Sequence, residues 1–107
     1  MDKVFVAKRI QSKLVGTEHS VDAALIEATE LVAELLRARK ELGLGANVGD
    51  AALVKMTAAV SALSEARTSM VAAHKELNEV QLRLGIRTRM TEDKVETEQS
   101  EPLRNVA

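Results

Sequence analysis

Two histidines, His19 and His74, are the side chains of this chain best suited to bind a transition metal or to move a proton. A di-iron site in a helical bundle needs Glu-x-x-His pairs, whereas Gly16 and Val71 stand three residues before the two histidines. The His-Glu-x-x-His pattern of zinc enzymes is absent, and the chain contains no cysteine. We therefore expect no metal and no cofactor.

Neither the hydroxyl side chains nor the glycines predict catalysis. Ser61, Ser64, Thr68 and Ser69 have no histidine and carboxylate placed to activate them. The glycine-dense segment 43–50 (GLGANVGD) precedes a predicted helix, a place where phosphate can bind, but it lacks the G-x-G-x-x-G and P-loop patterns. We predict a plain turn at this segment and a protein that is not an enzyme.

Basic residues are concentrated in two stretches, which could bind a lipid surface, an acidic partner or nucleic acid. A net charge of −1 and a single aromatic residue do not favour nucleic acid. A small binding module for a ligand, lipid or nucleic acid, using a bundle core or this basic end, is the alternative function. The basic residues concerned are Lys3, Lys8, Arg9 and Lys13 near the start of the chain, and Arg83, Arg87 and Arg89.

The elements that carry these side chains are helices, because apolar residues recur at heptad spacing. In the second half of the chain one row contains Leu53, Met56, Val60, Leu63, Met70, Leu77 and Leu84. A second row follows at intervals of seven, with Ala52, Ala59, Ala66, Ala73 and Val80. The first half repeats this pattern with Val21, Leu25, Ala28, Val32, Leu35 and Leu42, beside Ala24, Leu31 and Ala38.

These rows predict an all-α protein, an antiparallel helical hairpin with a broken first arm. We expect helices at about 4–15 and 20–42, interrupted at Gly16 and Thr17, and a long second arm at about 51–84. Gly43 and Gly85, each followed by an apolar residue, predict Schellman endings. In the alternative fold, the helix at 4–15 turns back as the third helix of a small bundle.

A single hairpin would leave its second apolar rows exposed to water. The apolar area of these rows is larger than the contiguous apolar patch that a monomer usually exposes. We therefore favour a homodimer, in which two hairpins form a four-helix bundle, over a complex with another protein or a monomeric three-helix bundle. The predicted function is a non-enzymatic interaction or structural protein that self-associates through coiled-coil-like faces. The predicted interface contains Ala52, Ala59, Leu63, Ala66, Met70, Ala73, Leu77 and Val80.

Polar residues within the rows are candidates for fixing the register of the helices. If Leu42 faces Leu53 across the turn, Arg67 faces Glu27 or Glu30, within one chain or between two. The same register places Leu84 opposite Ile10. The candidate register residues are Glu27, Glu30, Arg67 and His74.

The sequence predicts one helical domain over residues 1–90 and a polar tail over 91–107. No stretch is apolar enough to cross a membrane, and Met1–Val15 lacks the pattern of a secretory signal. We therefore expect a cytoplasmic protein. The tail has few apolar residues and cannot bury enough surface to offset its ordering entropy, so we expect it to be disordered.

Removal of the tail tests this domain boundary. We expect a chain that ends at Met90 to melt within a few degrees of the full-length protein, because the tail adds little to the core. Thermal denaturation followed by circular dichroism measures this, and a large loss of stability would show that the tail packs onto the helices.

Overall fold

A computed structural model describes residues 2–86, which form two helices and no strand. Helix α1 spans Lys3–Glu41 and helix α2 spans Asp50–Arg83. The prediction of an all-α chain is confirmed over these residues, and the arrangement is consistent with a helical hairpin. Within this part of the chain, no helix is both long and apolar enough to span a membrane. The predicted tail at 91–107 lies outside the described residues.

The predicted break at Gly16 is wrong, because α1 continues through it. This continuity also excludes the alternative in which residues 4–15 fold back as a separate helix. The heptad row passes through the glycine without a change of phase, from Leu14 to Glu18 and Val21. Thr17 does not cap a new helix, since its Oγ1 donates to the Lys13 carbonyl, 2.9 Å away. A glycine inside a helix costs only about 0.5–1 kcal/mol relative to alanine, which is too little to end a well-packed helix.

Both helix ends follow the predicted Schellman pattern. At the end of α1 the Leu44 amide donates to the Arg39 carbonyl at 3.0 Å, and Gly43 adopts a φ of 67°. At the end of α2 the Ile86 amide donates to the Gln81 carbonyl at 3.1 Å, and Gly85 adopts a φ of 80°. Only glycine adopts this left-handed conformation without strain, so the two glycines set where the helices stop.

The chain divides into two compact units, each built from segments of both helices. The terminal unit contains residues 1–17 and 71–107, described here over 2–17 and 71–86. The turn unit contains residues 18–70. The buried side chains of the described chain all belong to the terminal unit; they are Leu14, His74, Gln81 and Ile86. The turn unit therefore has no buried residue, although its helical segments are paired.

The turn unit is a helical hairpin whose register differs from the predicted one. Arg67 pairs with Asp22 rather than with Glu27 or Glu30 of its own chain. Gly49 lies against Leu35, since a Cβ placed on this glycine would be 3.9 Å from Leu35 Cδ1. The Schellman ending at Gly43 turns the chain immediately, so the following residues return beside α1 instead of forming a symmetric loop. The observed partner of Arg67, Asp22, therefore lies five residues before the predicted Glu27.

The continuity of α1 predicts a specific response to substitution of its glycine. Gly16→Ala is expected to raise stability by about 0.4–1 kcal/mol, because nothing lies within 4 Å of the added Cβ. Chemical denaturation at fixed protein concentration measures this change. Gly43→Ala is the matched control and should lower stability, since its φ is positive. A loss of stability for Gly16→Ala would contradict a continuous helix.

Candidate interaction surface

One side of the turn unit is lined by small apolar residues from both helices. Within this unit, the apolar row of each helix that faces the other helix begins with Val21 on α1 and with Leu53 on α2, and we call the line where these two rows meet the seam. On α1 the small apolar residues come three positions after members of this row, and on α2 they come one position before. Each set therefore lies beside the seam. In a pair of antiparallel helices, equivalent heptad positions beside the seam lie on the same side of the pair. We call this surface the alanine-rich side. It contains Ala24, Leu31 and Ala38 of α1 and Ala52, Ala59 and Ala66 of α2.

The alanine-rich side is accessible and carries no charge of its own. Leu31 is 56% exposed, and Ala52 and Ala59 are exposed as well. Ala24, Ala38 and Ala66 are half-buried. Small side chains let another helix approach closely, so this surface is shaped for helix packing rather than for chemistry.

The opposite side of the turn unit carries charged and hydroxyl groups, beside the exposed side chains of Ile26, Leu36 and Val54. Arg67 Nε donates to Asp22 Oδ1 at 2.8 Å, and the two side chains are about half exposed. Thr29 and Thr57 belong to the same side, and their hydroxyls donate to carbonyls of their own helices. These groups are satisfied within the unit or by solvent. The contrast between the sides makes the alanine-rich side the candidate interaction surface.

The structure separates the predicted interface residues into two groups. Ala52, Ala59 and Val80 are exposed. Leu63, Ala66, Met70, Ala73 and Leu77 are half-buried, because they also contribute to packing along or beside the seam. Their burial by another chain stays a prediction. Of the candidate register residues, Glu27 and Glu30 are exposed, Arg67 pairs with Asp22, and His74 is buried in the terminal unit.

In the terminal unit, a lysine of α1 closes the end of α2. Lys3 Nζ donates to the Leu84 carbonyl oxygen at 2.6 Å. Carbonyls at a helix C-terminus lack partners within the helix and carry partial negative charge, so an ammonium group is well placed there. The predicted register placed Ile10 at Leu84, one heptad further along α1. The sequence shows the charge of Lys3, but no local pattern indicates which carbonyl it reaches.

An open apolar groove of about 250 Å³ lies beside this contact. Val6 and Ala7 line it on α1, and Leu77, Val80 and Gln81 line it on α2. Gln81 is only 5% exposed, and its Oε1 has no hydrogen-bond partner within the described part of the chain. Leaving a buried acceptor unsatisfied costs about 1–3 kcal/mol. The apolar lining makes the groove a second candidate surface, whereas the Gln81 oxygen itself is buried.

Within residues 2–86, no three histidine, aspartate or glutamate side chains come together as metal ligands. The chain matches no protein-family model, no curated protein and no solved structure. The two surfaces described above are therefore the candidate functional features of the described residues.

The ion pair of the turn unit can be measured by a double-mutant cycle. Asp22→Asn and Arg67→Gln, alone and together, should give a coupling energy of about 0.2–1 kcal/mol at low salt, because both groups are partly exposed. Chemical denaturation provides the four free energies of unfolding, and added salt should reduce the coupling.

The control for this cycle replaces Asp22→Asn by Glu27→Gln. Its coupling to Arg67 should be zero in a single chain, because Asp22 occupies the arginine. A larger coupling for Glu27 than for Asp22 would overturn the observed register.

Proposed function

We propose that this protein is a non-enzymatic helical interaction protein, and that two copies associate through their helices as a four-helix bundle. The observation that carries the proposal is the lack of any buried side chain in the turn unit. Fifty-three residues, 18–70, are folded there as paired helical segments without a closed core. A second pair of helices would supply the missing layer.

The exposed apolar surface supports the same proposal. Paired helices bury one seam only, and helices gain most of their stability from packing an apolar face. In the turn unit Ile26, Leu31 and Val54 are each more than half exposed. Water contact with such residues is unfavourable by about 25 cal/mol per Å² of apolar surface, so covering them favours association.

The alanine-rich side is the part of this surface best suited to meet another hairpin. It lies opposite the Asp22–Arg67 pair, so its burial leaves that pair in solvent. Ala59 and Ala66 are at its centre on α2, and their small size permits close helix contact. Leu63 and Met70, half-buried at present, would be covered further by the second hairpin.

A binding module is the second candidate function, and the groove of the terminal unit favours it. A small apolar molecule would match the apolar lining of the groove. Such a ligand would raise the melting temperature without changing the mass of the protein, whereas self-association needs no added molecule.

The proposal predicts that a charge on the alanine-rich side prevents association. Ala59→Glu or Ala66→Glu should yield a monomer or an unfolded chain, because an unpaired charge buried in an interface costs several kcal/mol. Sedimentation equilibrium measures the mass, and circular dichroism measures the helix content.

Ala58→Glu is the matched control, since Ala58 is an exposed neighbour on the outward side of the same helix. This variant should keep the mass and stability of the original protein. If Ala59→Glu and Ala66→Glu behave like Ala58→Glu, the alanine-rich side is not the interface.

A further inference from the structure

We infer that the occupant of the exposed α1 surface is a second copy of the same chain, with the basic start of one α1 lying on the acidic middle of the other. This inference rests on the proposed self-association and adds an orientation to it. It is carried by the charges and exposures of two patches on α1, one in each unit.

The charges of α1 are segregated along its sequence. Residues 3–13 contain four basic residues and no acidic one. Residues 18–34 contain five acidic residues and neither lysine nor arginine. Opposite charges at this density attract two chains and penalise arrangements that bring like segments together. Of the possible pairings of two α1 helices, basic on acidic is therefore the favoured one.

The basic patch is centred on an exposed isoleucine of the terminal unit. Ile10 is 42% exposed on α1. Lys3 lies one heptad before it and Lys13 one helical turn after it, so the three side chains share a face of the helix. Both lysines are exposed. Lys3 Nζ is held by the Leu84 carbonyl, so the cation that the patch offers beside its apolar centre is that of Lys13.

The acidic patch has the same design with the opposite sign. Leu31, in the turn unit, is 56% exposed. Glu27 precedes it by four residues and Glu34 follows it by three, so both carboxylates flank the leucine on one face. Glu34 accepts a hydrogen bond from Arg37 at 3.2 Å, but both side chains are at least 65% exposed. Such a surface pair is weak and leaves Glu34 open to another cation.

The two patches are complementary in both apolar area and charge. Ile10 of one copy would pack on Leu31 of the other, while Lys13 faces the glutamates. Because each chain carries one patch of each kind, no partner of different chemistry is needed. Two copies can make the contact twice when they are related by a two-fold axis, the commonest symmetry of homo-oligomers.

Disulfide trapping tests the contact directly, since the chain has no cysteine of its own. Ile10→Cys and Leu31→Cys chains are mixed in equal amounts and oxidised gently, and the linked peptides are identified by mass spectrometry. Random pairing of equal amounts would already make about half of the links 10–31, so the inference expects the mixed link to exceed the sum of the two like-with-like links severalfold. A mixed share of about half or less would overturn it.

Charge reversal provides an independent test. Lys13→Glu and Glu27→Lys should each weaken self-association by about tenfold, because each places like charges together in the contact. Mixing the two variants should restore the affinity of the original protein, since each then meets an opposite charge. Lys8→Glu makes the same change on the opposite face of α1, where Lys8 is exposed. It is the matched control and should have little effect.

Sedimentation of the original protein separates this inference from the proposed function. A monomer at every accessible concentration would overturn both. A dimer with like-with-like disulfides and no recovery on mixing would leave self-association standing and remove the orientation. A dimer with a dominant 10–31 link and recovery on mixing would establish the basic-on-acidic contact.

Discussion

The heptad seam is the constraint on which this structure depends. Apolar residues alternate at steps of three and four along both helices, and only one such row per helix can be covered when two helices pair. The seam keeps α1 helical through Gly16, and it determines which residues become flanks. In the turn unit, the flanks differ sharply in chemistry. One side carries the Asp22–Arg67 pair, and the other carries alanines and Leu31.

Burial is unevenly distributed between the two units, and this has consequences for local stability. The terminal unit encloses Leu14, His74, Gln81 and Ile86. The turn unit encloses none of its side chains and has an ion pair that is open to solvent. Regions with few buried contacts open at lower free energy than the rest of a protein. Taken alone, the turn unit has the properties of such a region, and association is the simplest way to protect it.

Much of the helical architecture could be predicted because its causes are local. The rows predicted two arms, and the glycines at 43 and 85 predicted the ends, since both depend on residues close in sequence. The break at Gly16 was wrong because a single glycine was given more weight than the unbroken phase of the row around it. The propensity of one residue is a weak signal when tertiary packing supports the helix.

The register of the two helices and the groove could not be predicted from residues close in sequence. The partner of Arg67 depends on how the turn after Gly43 directs the chain, and a shift of a few residues there changes every pairing that follows. The groove depends on segments that meet only after folding, such as those of Val6 and Val80. The candidate surfaces were predictable only in part, because rows of alanine show where helices can approach but not which side remains uncovered.

The contact of Lys3 with Leu84 joins residues 81 positions apart in sequence. The best-buried part of the chain is thus assembled from the first and last helical segments that the structure describes. During synthesis, the start of α1 leaves the ribosome well before residues 71–86 exist. At roughly 5–20 residues per second, its apolar face waits several seconds for its partner. Over that interval the apolar face of the nascent α1 is open to water.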